Sequence, residues 1–377
     1  LREFVCSQAM AGLGVPTTAA LCLVSTGQQV VRDILYDGHP APEPGAIVCR
    51  VAPSFLRFGS LQLPAARGEL DLARSLLDFA IARHYPELAG CSDPAAAVFA
   101  QVARRSAELV AHWQRVGFVH AVLNTANLHL GGLTIDYGPF GWMEAFDPDY
   151  TPNTSDAAAR RYRFAAQPAM VRWNLVALAQ AMSALTADAS ALADGLAAYD
   201  QQLQACRLRD AAAKLGLHDG AVARALHTRW QVLMQDAALD MSLAYRALAH
   251  VRGDNRLSLA PSLLFARAST DAARLQQALP AMAAWLADYQ QAIAGQGMAA
   301  EARVAGMNRV NPWFVPRNWL LHRAASEAEQ GDLTLLQRLC AAARDPYRHD
   351  QAIDDLVQPC PPELLQQPGC SRLSCSS

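Results

Sequence analysis

Two polar residues, Asn127 and Asp136, are the residues of this sequence that are best placed to do chemistry together. Residues 128–130 (Leu-His-Leu) alternate as a short strand does, Gly131-Gly132 is a two-residue turn signal, and residues 133–135 (Leu-Thr-Ile) read as a returning strand. A β-hairpin brings its two ends together, so we expect the Asn127 amide oxygen and the Asp136 carboxylate to face a common point. Hard oxygen ligands of this kind suit Mg²⁺ that carries a nucleotide phosphate.

The same stretch follows the order of a protein-kinase catalytic loop. The kinase pattern His-Arg-Asp-x-x-x-x-Asn is in register with residues 120–127, and the kinase Asp-Phe-Gly turn corresponds to Asp-Tyr-Gly starting at Asp136. The catalytic Asp of that pattern falls on Val122, which cannot accept a proton, so ordinary kinase chemistry is not supported. On spacing alone, a hairpin beside a structural Asp-Gly turn explains the motif equally well.

Longer sequence motifs resemble those of the SelO (selenoprotein O) family, kinase-like proteins that transfer AMP from ATP to protein hydroxyls. The resemblance runs nearly end to end, over residues 124–127 (Asn-Thr-x-Asn), 133–141 (Leu-Thr-Ile-Asp-Tyr-Gly-Pro-Phe-Gly), 1–4, 50–54, 57–59, 167–168, 173–175, 307–312 and 375–377. It implies an α+β, protein-kinase-like fold in three parts. These are an incomplete small mixed lobe (1–66), a large mainly helical lobe with the metal and nucleotide site (67–250), and a helical C-terminal extension with a cysteine-containing tail (251–377).

The resemblance also implies roles for particular residues. Asn127 and Asp136 would be metal ligands, with Asp136 also part of the nucleotide site, and Arg50 and Arg57 would contact ATP phosphates. Guanidinium groups suit phosphate oxygens, although the residues alone would indicate surface arginines. Glu3 is also assigned to the nucleotide site, because it matches the kinase αC glutamate, whose partner is a lysine on a preceding strand that holds the phosphates. That lysine and the glycine-rich loop are not in this sequence, so Glu3 is predicted to have no partner, and the alternative is a solvated carboxylate at a helix N-terminus. The first residue is Leu and not Met, which suggests a natural start further upstream.

In the family, the Asp of Asn-Thr-Asp-Asn supplies the general base, and this sequence has Ala126 at that position. The resemblance therefore implies a protein adenylyltransferase of impaired activity, using ATP with Mg²⁺ or Mn²⁺ and acting on Ser, Thr or Tyr hydroxyls of proteins. One alternative is an inactive pseudokinase that binds a nucleotide or a partner. Another is an unrelated zinc site that uses His120, His129 and Asp136.

Composition excludes several classes of partner. Hydrophobic residues make up 52% of the chain and charged residues 18%, which is typical of a globular protein. The formal charge is −2 and no Lys/Arg block stands out, which argues against nucleic acid or an anionic membrane as the main partner. The longest apolar run near the start, residues 19–24, is too short to cross a bilayer, and no signal-peptide pattern precedes it. We therefore expect a cytoplasmic protein. The oligomeric state stays open.

Nine cysteines are too few for a disulfide scaffold. Cys360, Cys370 and Cys375 lie in the tail, where a reactive thiol or a bridge is one hypothesis and an inert end is the other. In the family, a cysteine that often occurs in the activation segment pairs with the C-terminal one. Residues 147–156 contain no cysteine, so we do not expect Cys375 to form that bridge.

Periodicity predicts the remaining elements. Helices are expected over residues 1–13, 68–86, 92–117, most of 169–250, and 270–296, with Trp173 and Leu175 in the core. For the third of these, Ser92 or Asp93 can cap the start, Pro94 suits the first turn and Gly117 ends the helix. Strands are expected over residues 18–25, 29–36 and 46–52, the first two joined across Thr26-Gly27 and the last two by a proline loop at positions 40, 42 and 44. Near the end, four polar residues are predicted to cap and bridge helices, with substrate contact as the alternative, namely Asn308, Arg309, Asn311 and Arg317.

Overall fold

The computed structural model describes residues 1–33, 38–253, 259–364, 370 and 373–374. Over these residues the protein is α+β and mostly helical, with two small antiparallel sheets of two strands each. The first half contains α1 (Arg2–Gly12), β1 (Ala19–Arg32), β2 (Ala41–Val51), α2 (Phe58–Ala66), α3 (Leu70–His84), α4 (Pro94–Val116), β3 (Phe118–Val119), β4 (Gly141–Trp142) and α5 (Gln167–Met182). The second half contains α6 (Ser190–Leu215), α7 (Gly220–Asp236), α8 (Met241–Leu248), α9 (Pro261–Leu264), α10 (Ala272–Gly295), α11 (Ala300–Val310), α12 (Asn318–Glu329) and α13 (Thr334–Arg344).

The N-terminal strands form one long two-stranded ribbon. Thr26-Gly27 was expected to be a turn, and that prediction is wrong, because β1 continues through both residues and pairs with β2 along its length. Gly27 has a φ of +69°, and the register shifts between Ser25 and Gln29, so the glycine produces an irregularity within the strand. The end of the predicted second strand, residues 34–36, lies outside the described residues.

The predicted proline loop is also wrong for Pro42 and Pro44. Both lie inside β2, opposite Val31 and Gln29, and the strand begins at Ala41. Proline is tolerated at an edge strand, where its missing N–H would have faced solvent, and each strand of a two-stranded sheet has one such edge. A sequence pattern of prolines therefore could not distinguish a loop from an open edge.

The predicted helices that precede the central stretch are confirmed. Helix α4 has the expected ends: the Asp93 carboxylate accepts the Ala96 N–H at 3.1 Å, Pro94 is its first residue, and Gly117 ends it with a φ of +73°. Helix α2 was missed. It is only nine residues long and contains Pro64, so it lacks a clear helical pattern.

The helical region from α5 to α8 and the long helix α10 are confirmed as well. Leu175 is fully buried as predicted, whereas the prediction of a buried Trp173 is wrong, since this side chain is 51% exposed. Residues two positions apart lie on different faces of a helix, so both could not enter the same core. Trp173 instead lies under the guanidinium of Arg161, at 4.6 Å from the ring centre.

Two apolar clusters form the interior. The larger one joins α1, α4, α5, α12 and α13, and the second joins α7, α8 and α10 through Trp230, Tyr245 and Trp285. The larger cluster includes residues from all three predicted parts of the chain, such as Val5, Leu175 and Leu339. The boundaries at 66 and 250 remain predictions. Among the described helices, none has both the length and the apolar character needed to span a bilayer.

Candidate nucleotide site

The central stretch does not form the predicted β-hairpin. Residues 128–130 bond to the segment that leads into α2, where Phe58 N–H donates to Leu128 O and Leu130 N–H donates to Leu56 O, both at 2.9 Å. Residues 133–135 bond to a different segment, where Thr134 N–H donates to Pro16 O at 2.8 Å. The turn itself is present, because Gly132 N–H donates to His129 O at 3.0 Å. The sequence predicted the turn but not the hydrogen-bond partners of the two strands. Those partners depend on which backbone segments the fold brings close to them.

Asp136 and Arg57 form the central contact of the site. The Arg57 guanidinium binds both carboxylate oxygens, with Nε to Oδ2 at 2.9 Å and Nη2 to Oδ1 at 3.0 Å. Each side chain is 35% exposed, so the pair is open to ligands. Asp136 has a φ of +58°, a left-handed conformation that is costly for a residue other than glycine. Its carbonyl accepts the Gly138 N–H at 2.9 Å, which holds the turn closed.

Asn127 lies at the end of a short turn, Thr125–Asn127, that packs against the start of α2. The Asn124 side chain caps this turn by accepting the Ala126 N–H at 2.9 Å, and Ala126 is exposed. Asn127 Nδ2 donates to Val122 O at 3.1 Å, which leaves the amide oxygen as the atom that could bind a cation. Because Arg57 immediately precedes α2, this helix joins the Asn127 turn to the Arg57–Asp136 pair.

Arg50 and Glu3 bind each other, with Nη1 to Oε1 at 2.7 Å. The prediction that Glu3 has no partner is therefore wrong, because the β1–β2 ribbon returns Arg50 to the N-terminal end of α1. Arg50 also donates to Thr18, and its guanidinium lies 4.9 Å from the ring centre of Tyr137, the residue after Asp136. Both predicted arginines thus reach the Asp-Tyr-Gly segment, Arg57 by an ion pair and Arg50 through the tyrosine ring.

Thr17 and Trp113 hold this segment in place, and neither was predicted from the sequence to have a polar role there. The Tyr137 hydroxyl is hydrogen bonded to Thr17 Oγ1, and Trp113 Nε1 donates to Thr134 Oγ1 at 3.0 Å. Burial raises the pKa of Tyr137, so the phenol stays protonated. The Tyr of Asp-Tyr-Gly was the available signal, since a buried phenol needs a polar partner.

His120 and His129 have structural roles. A ring nitrogen of His120 lies 2.8 Å from Ile135 O, and one of His129 lies 2.9 Å from Ser54 O. Burial lowers the pKa of both, that of His129 to about 4. Among the described residues, which include both histidines and Asp136, no group of three or more His, Cys, Asp or Glu side chains could hold a metal, so the three-ligand zinc hypothesis is wrong.

A magnesium ion that arrives with a nucleotide needs fewer protein ligands. Mg²⁺ is usually bound by one or two protein groups together with substrate phosphates and water. Asp136 and Asn127 supply oxygen atoms of the right kind, and Asp136 is partly exposed. The residues present therefore fit a nucleotide-borne cation, provided that Arg57 releases the carboxylate.

Two other predicted features have clear outcomes. Bridging is confirmed for Asn311, which donates to Lys214 O at 3.0 Å, and for Arg317, which donates to Asp240 and to Glu144 Oε2.

In the tail, Cys360 and Cys370 are free thiols, and burial raises the pKa of both, that of Cys360 to about 12. Protonated thiols react slowly, which favours the inert alternative for these two. Cys375 lies outside the described residues.

Comparison with known proteins identifies a class of enzymes to which this chain is similar. A relative called protein nucleotidyltransferase YdiU, from Xanthomonas campestris pv. campestris (strain B100), is 47% identical over 380 residues, which cover 100% of this chain and 72% of the relative. A protein of the same name from Xylella fastidiosa (strain Temecula1) is 46% identical over 383 residues, with the same coverage. These relatives are nucleotidyltransferases by name.

The family model described as protein adenylyltransferase SelO matches residues 1–344. The chain therefore belongs to the SelO family of protein adenylyltransferases. The family resemblance inferred from the short sequence words is confirmed.

Proposed function

We propose that this protein transfers AMP from ATP to Ser, Thr or Tyr hydroxyls of proteins, within a protein-kinase-like fold. The observation that carries the proposal is the Arg57–Asp136 pair beside the Asn127 turn, in a chain of the SelO family. Asn127 and Asp136 would bind Mg²⁺, or Mn²⁺ in its place, and Arg50 and Arg57 would bind phosphate oxygens. The cation would neutralise negative charge on the phosphates.

Arg57 has a switching role in this proposal. In the absence of nucleotide it neutralises Asp136 and holds the carboxylate in place through two hydrogen bonds. When a phosphate is available, the guanidinium can exchange the carboxylate for phosphate oxygens, because both offer the planar acceptor pairs that suit arginine. Asp136 is then free to bind the cation. Arg50 stays tied to Glu3 and keeps the Tyr137 side of the segment in position.

Ala126 limits the rate in this proposal. It occupies the position that the family fills with the proton-accepting Asp, and loss of a general base usually costs about a hundredfold to ten-thousandfold in rate. This residue also favours the second candidate function, a pseudokinase that binds nucleotide without turnover. The two differ in one measurable respect, since only the first leaves AMP covalently attached to protein.

The test incubates the full chain and a mixture of candidate protein substrates with ATP labelled on the α-phosphate and Mg²⁺. Label on protein hydroxyls that is lost in Asp136→Asn is the expected result. Asp149→Asn is the matched control, because Asp149 also pairs with an arginine, Arg163, at 2.9 Å, but lies outside the site. ATP and Mg²⁺ that stabilise the protein against heat without any labelling would establish the pseudokinase. Absence of both labelling and stabilisation would refute both functions.

A further inference from the structure

A polar cavity of about 240 Å³ lies between α4, α6, α7 and α8, and none of its lining residues belongs to the nucleotide site. Its lining contains four basic residues, Arg115, Arg207, Lys214 and Arg224, and one carboxylate, that of Asp210. This carboxylate already pairs with Arg209, which is not part of the lining, at 3.1 Å. The cavity therefore has a surplus of positive charge.

Lys214 is the only lysine in the sequence, and it is almost completely buried, at 3% exposure. Its ammonium donates to Arg115 O at 2.8 Å and lies 4.0 Å from the ring centre of Tyr245. An ammonium has three donors, and within the described chain no carboxylate hydrogen bonds to this one. Burial, with the nearby charge of Arg115, lowers the pKa of Lys214 to about 7. The charge of Asp210 acts on this ammonium and raises its pKa, but the described chain places no carboxylate in hydrogen-bond contact with it.

Arg207 and Arg224 are exposed and line the same cavity from α6 and α7. Over the residues that the structure covers, Arg207 makes no hydrogen bond or ion pair. The partial burial of its guanidinium lowers the pKa of Arg207, and the nearby charge of Arg224 lowers it further. Arg224 gives one bond, to Gln204 Oε1 at 2.9 Å. Two guanidinium groups with unused donors next to each other repel unless an anion lies between them.

We propose that this cavity binds a small phosphate-type oxyanion, either inorganic phosphate or the phosphate group of a small monoester. Arg207 and Arg224 bind the anion from the exposed side of the cavity, and the Lys214 ammonium binds it from the buried side. Arg115 contributes charge, since its own donors are used by Leu13 O and the Tyr347 hydroxyl. This site is independent of the proposed adenylyl transfer.

Binding at this site is coupled to protonation of Lys214. The side chains that face it from α4, α6, α7 and α8 are Arg115, Arg207, Asp210, Arg224, His227 and Tyr245. Burial and Lys214 lower the pKa of His227 to about 3, and burial raises that of Tyr245 well above its usual value, so both stay neutral near pH 7. A bound anion favours the charged amine, so it raises the pKa of Lys214.

The single lysine permits a direct test. The full chain is prepared with ¹³Cε-labelled lysine, so that one lysine resonance reports on Lys214, and is titrated with sodium phosphate or with sodium chloride at equal ionic strength. Phosphate, but not chloride, is expected to shift the resonance and to raise the pKa of Lys214. A lysine resonance that responds equally to both salts would overturn the proposal.

Three variants separate this site from other phosphate-binding groups. Arg207→Gln is exposed and is expected to fold normally, yet to weaken phosphate binding at least about tenfold through loss of a charge-assisted bond. Arg229→Gln, on α7 but paired with Asp288, and Arg57→Gln, in the nucleotide site, are expected to leave unchanged the phosphate affinity that the Lys214 resonance reports. Arg57→Gln removes a phosphate contact only at the nucleotide site, which this resonance does not report. Unchanged affinity in Arg207→Gln, or a comparable loss in Arg57→Gln, would refute the site. A response to glycerol phosphate as well as inorganic phosphate identifies a monoester site, and a response to inorganic phosphate alone identifies a free-anion site.

Discussion

Asp136 carries backbone strain at the centre of the proposed nucleotide site. Its left-handed backbone costs about 1–2 kcal/mol for a side chain with a Cβ, and three contacts maintain it. Arg57 holds the carboxylate, the Gly138 N–H holds the carbonyl, and the His120 ring contacts the preceding carbonyl of Ile135. The conformation directs a carboxylate toward Arg57 that an extended backbone would direct elsewhere.

Ala126→Asp is expected to raise AMP transfer by about a hundredfold to ten-thousandfold, because it supplies a proton acceptor beside Asn127. The exposed position and the Asn124 cap allow a longer side chain without disturbing the turn. Initial rates of labelled AMP incorporation measure the effect. Ala126→Asn, which has a similar size but cannot act as a base, serves as the control, and an equal gain in both variants would contradict a role in proton transfer.

Glu3→Gln is expected to lower the free energy of unfolding by about 1 kcal/mol, because it removes the charge that faces Arg50. The Arg50 side chain is only 10% exposed, while Glu3 is 40% exposed, so solvent screens part of the interaction. Urea denaturation measures the change. Glu301→Gln is the control, since Glu301 is an exposed acid in the first turn of α11 and shares only the helix-dipole contribution. Equal losses would mean that the ion pair adds nothing.

At the scale of elements, α1 packs closely on α13. Gly12 lies where the helices meet, and a Cβ built on it would lie 2.0 Å from Ala343 O. A main-chain atom cannot move aside as a flexible side chain does, so the glycine sets the distance between the two helices. The N-terminal helix that carries Glu3 is thereby fixed against the C-terminal part of the chain.

Gly12→Ala is therefore expected to destabilise the protein. The steric cost of about 1–3 kcal/mol exceeds the gain of about 1 kcal/mol that alanine brings in helix propensity. Gly306→Ala provides a matched comparison in α11, where a Cβ meets nothing within 4 Å. That variant is expected to be up to about 1 kcal/mol more stable than the wild type. Urea denaturation of both variants decides the matter, and stabilisation by Gly12→Ala would show that the two helices can separate at little cost.

Across the whole molecule, Arg317 links distant parts of the chain through a buried charge cluster. It donates to Asp240, which also caps α8 by accepting the Leu243 N–H at 2.9 Å, and to Glu144, which follows β4. Arg317 and Asp240 are each 1% exposed. Burial, reinforced by Asp240, raises the pKa of Glu144 to about 7, even though the Arg317 charge acts in the opposite direction.

Arg317→Met is expected to cost roughly 3–5 kcal/mol at pH 8, because it leaves buried carboxylates without a cation. Its removal raises the pKa of Glu144 further above the unfolded value. When folding raises the pKa of a carboxyl group, that group destabilises the folded state least at a pH below its pKa in the unfolded chain. The free energy of unfolding then falls as the pH rises through the pKa of the folded state. The loss should therefore be smaller at pH 5 than at pH 8.

Urea denaturation at both pH values measures this dependence. The control is Arg229→Met, whose exposed ion pair with Asp288 is expected to contribute no more than about 1 kcal/mol at either pH. A loss of equal size at pH 5 and pH 8 in Arg317→Met would argue against titration of Glu144 as its cause.

The sequence by itself determined the long, clearly patterned helices and the turn, although it missed α2. The Asp93 cap, the Pro94 start and the Gly117 end of α4 act within a few residues of one another, so a local pattern was sufficient to place them. The Gly131-Gly132 turn was predicted for the same reason, and the short words around Asn127 and Asp136 were sufficient to identify the family.

Only the tertiary structure decided which groups meet. Arg57 binds Asp136 across 79 positions, Arg50 binds Glu3 across 47, and the two halves of the expected hairpin bond to different segments. Backbone amides and charged side chains can bond to many different partners with similar interaction energies. Their choice is therefore set by which chain segments the packed core brings within hydrogen-bonding distance, and no local pattern of residues records that proximity.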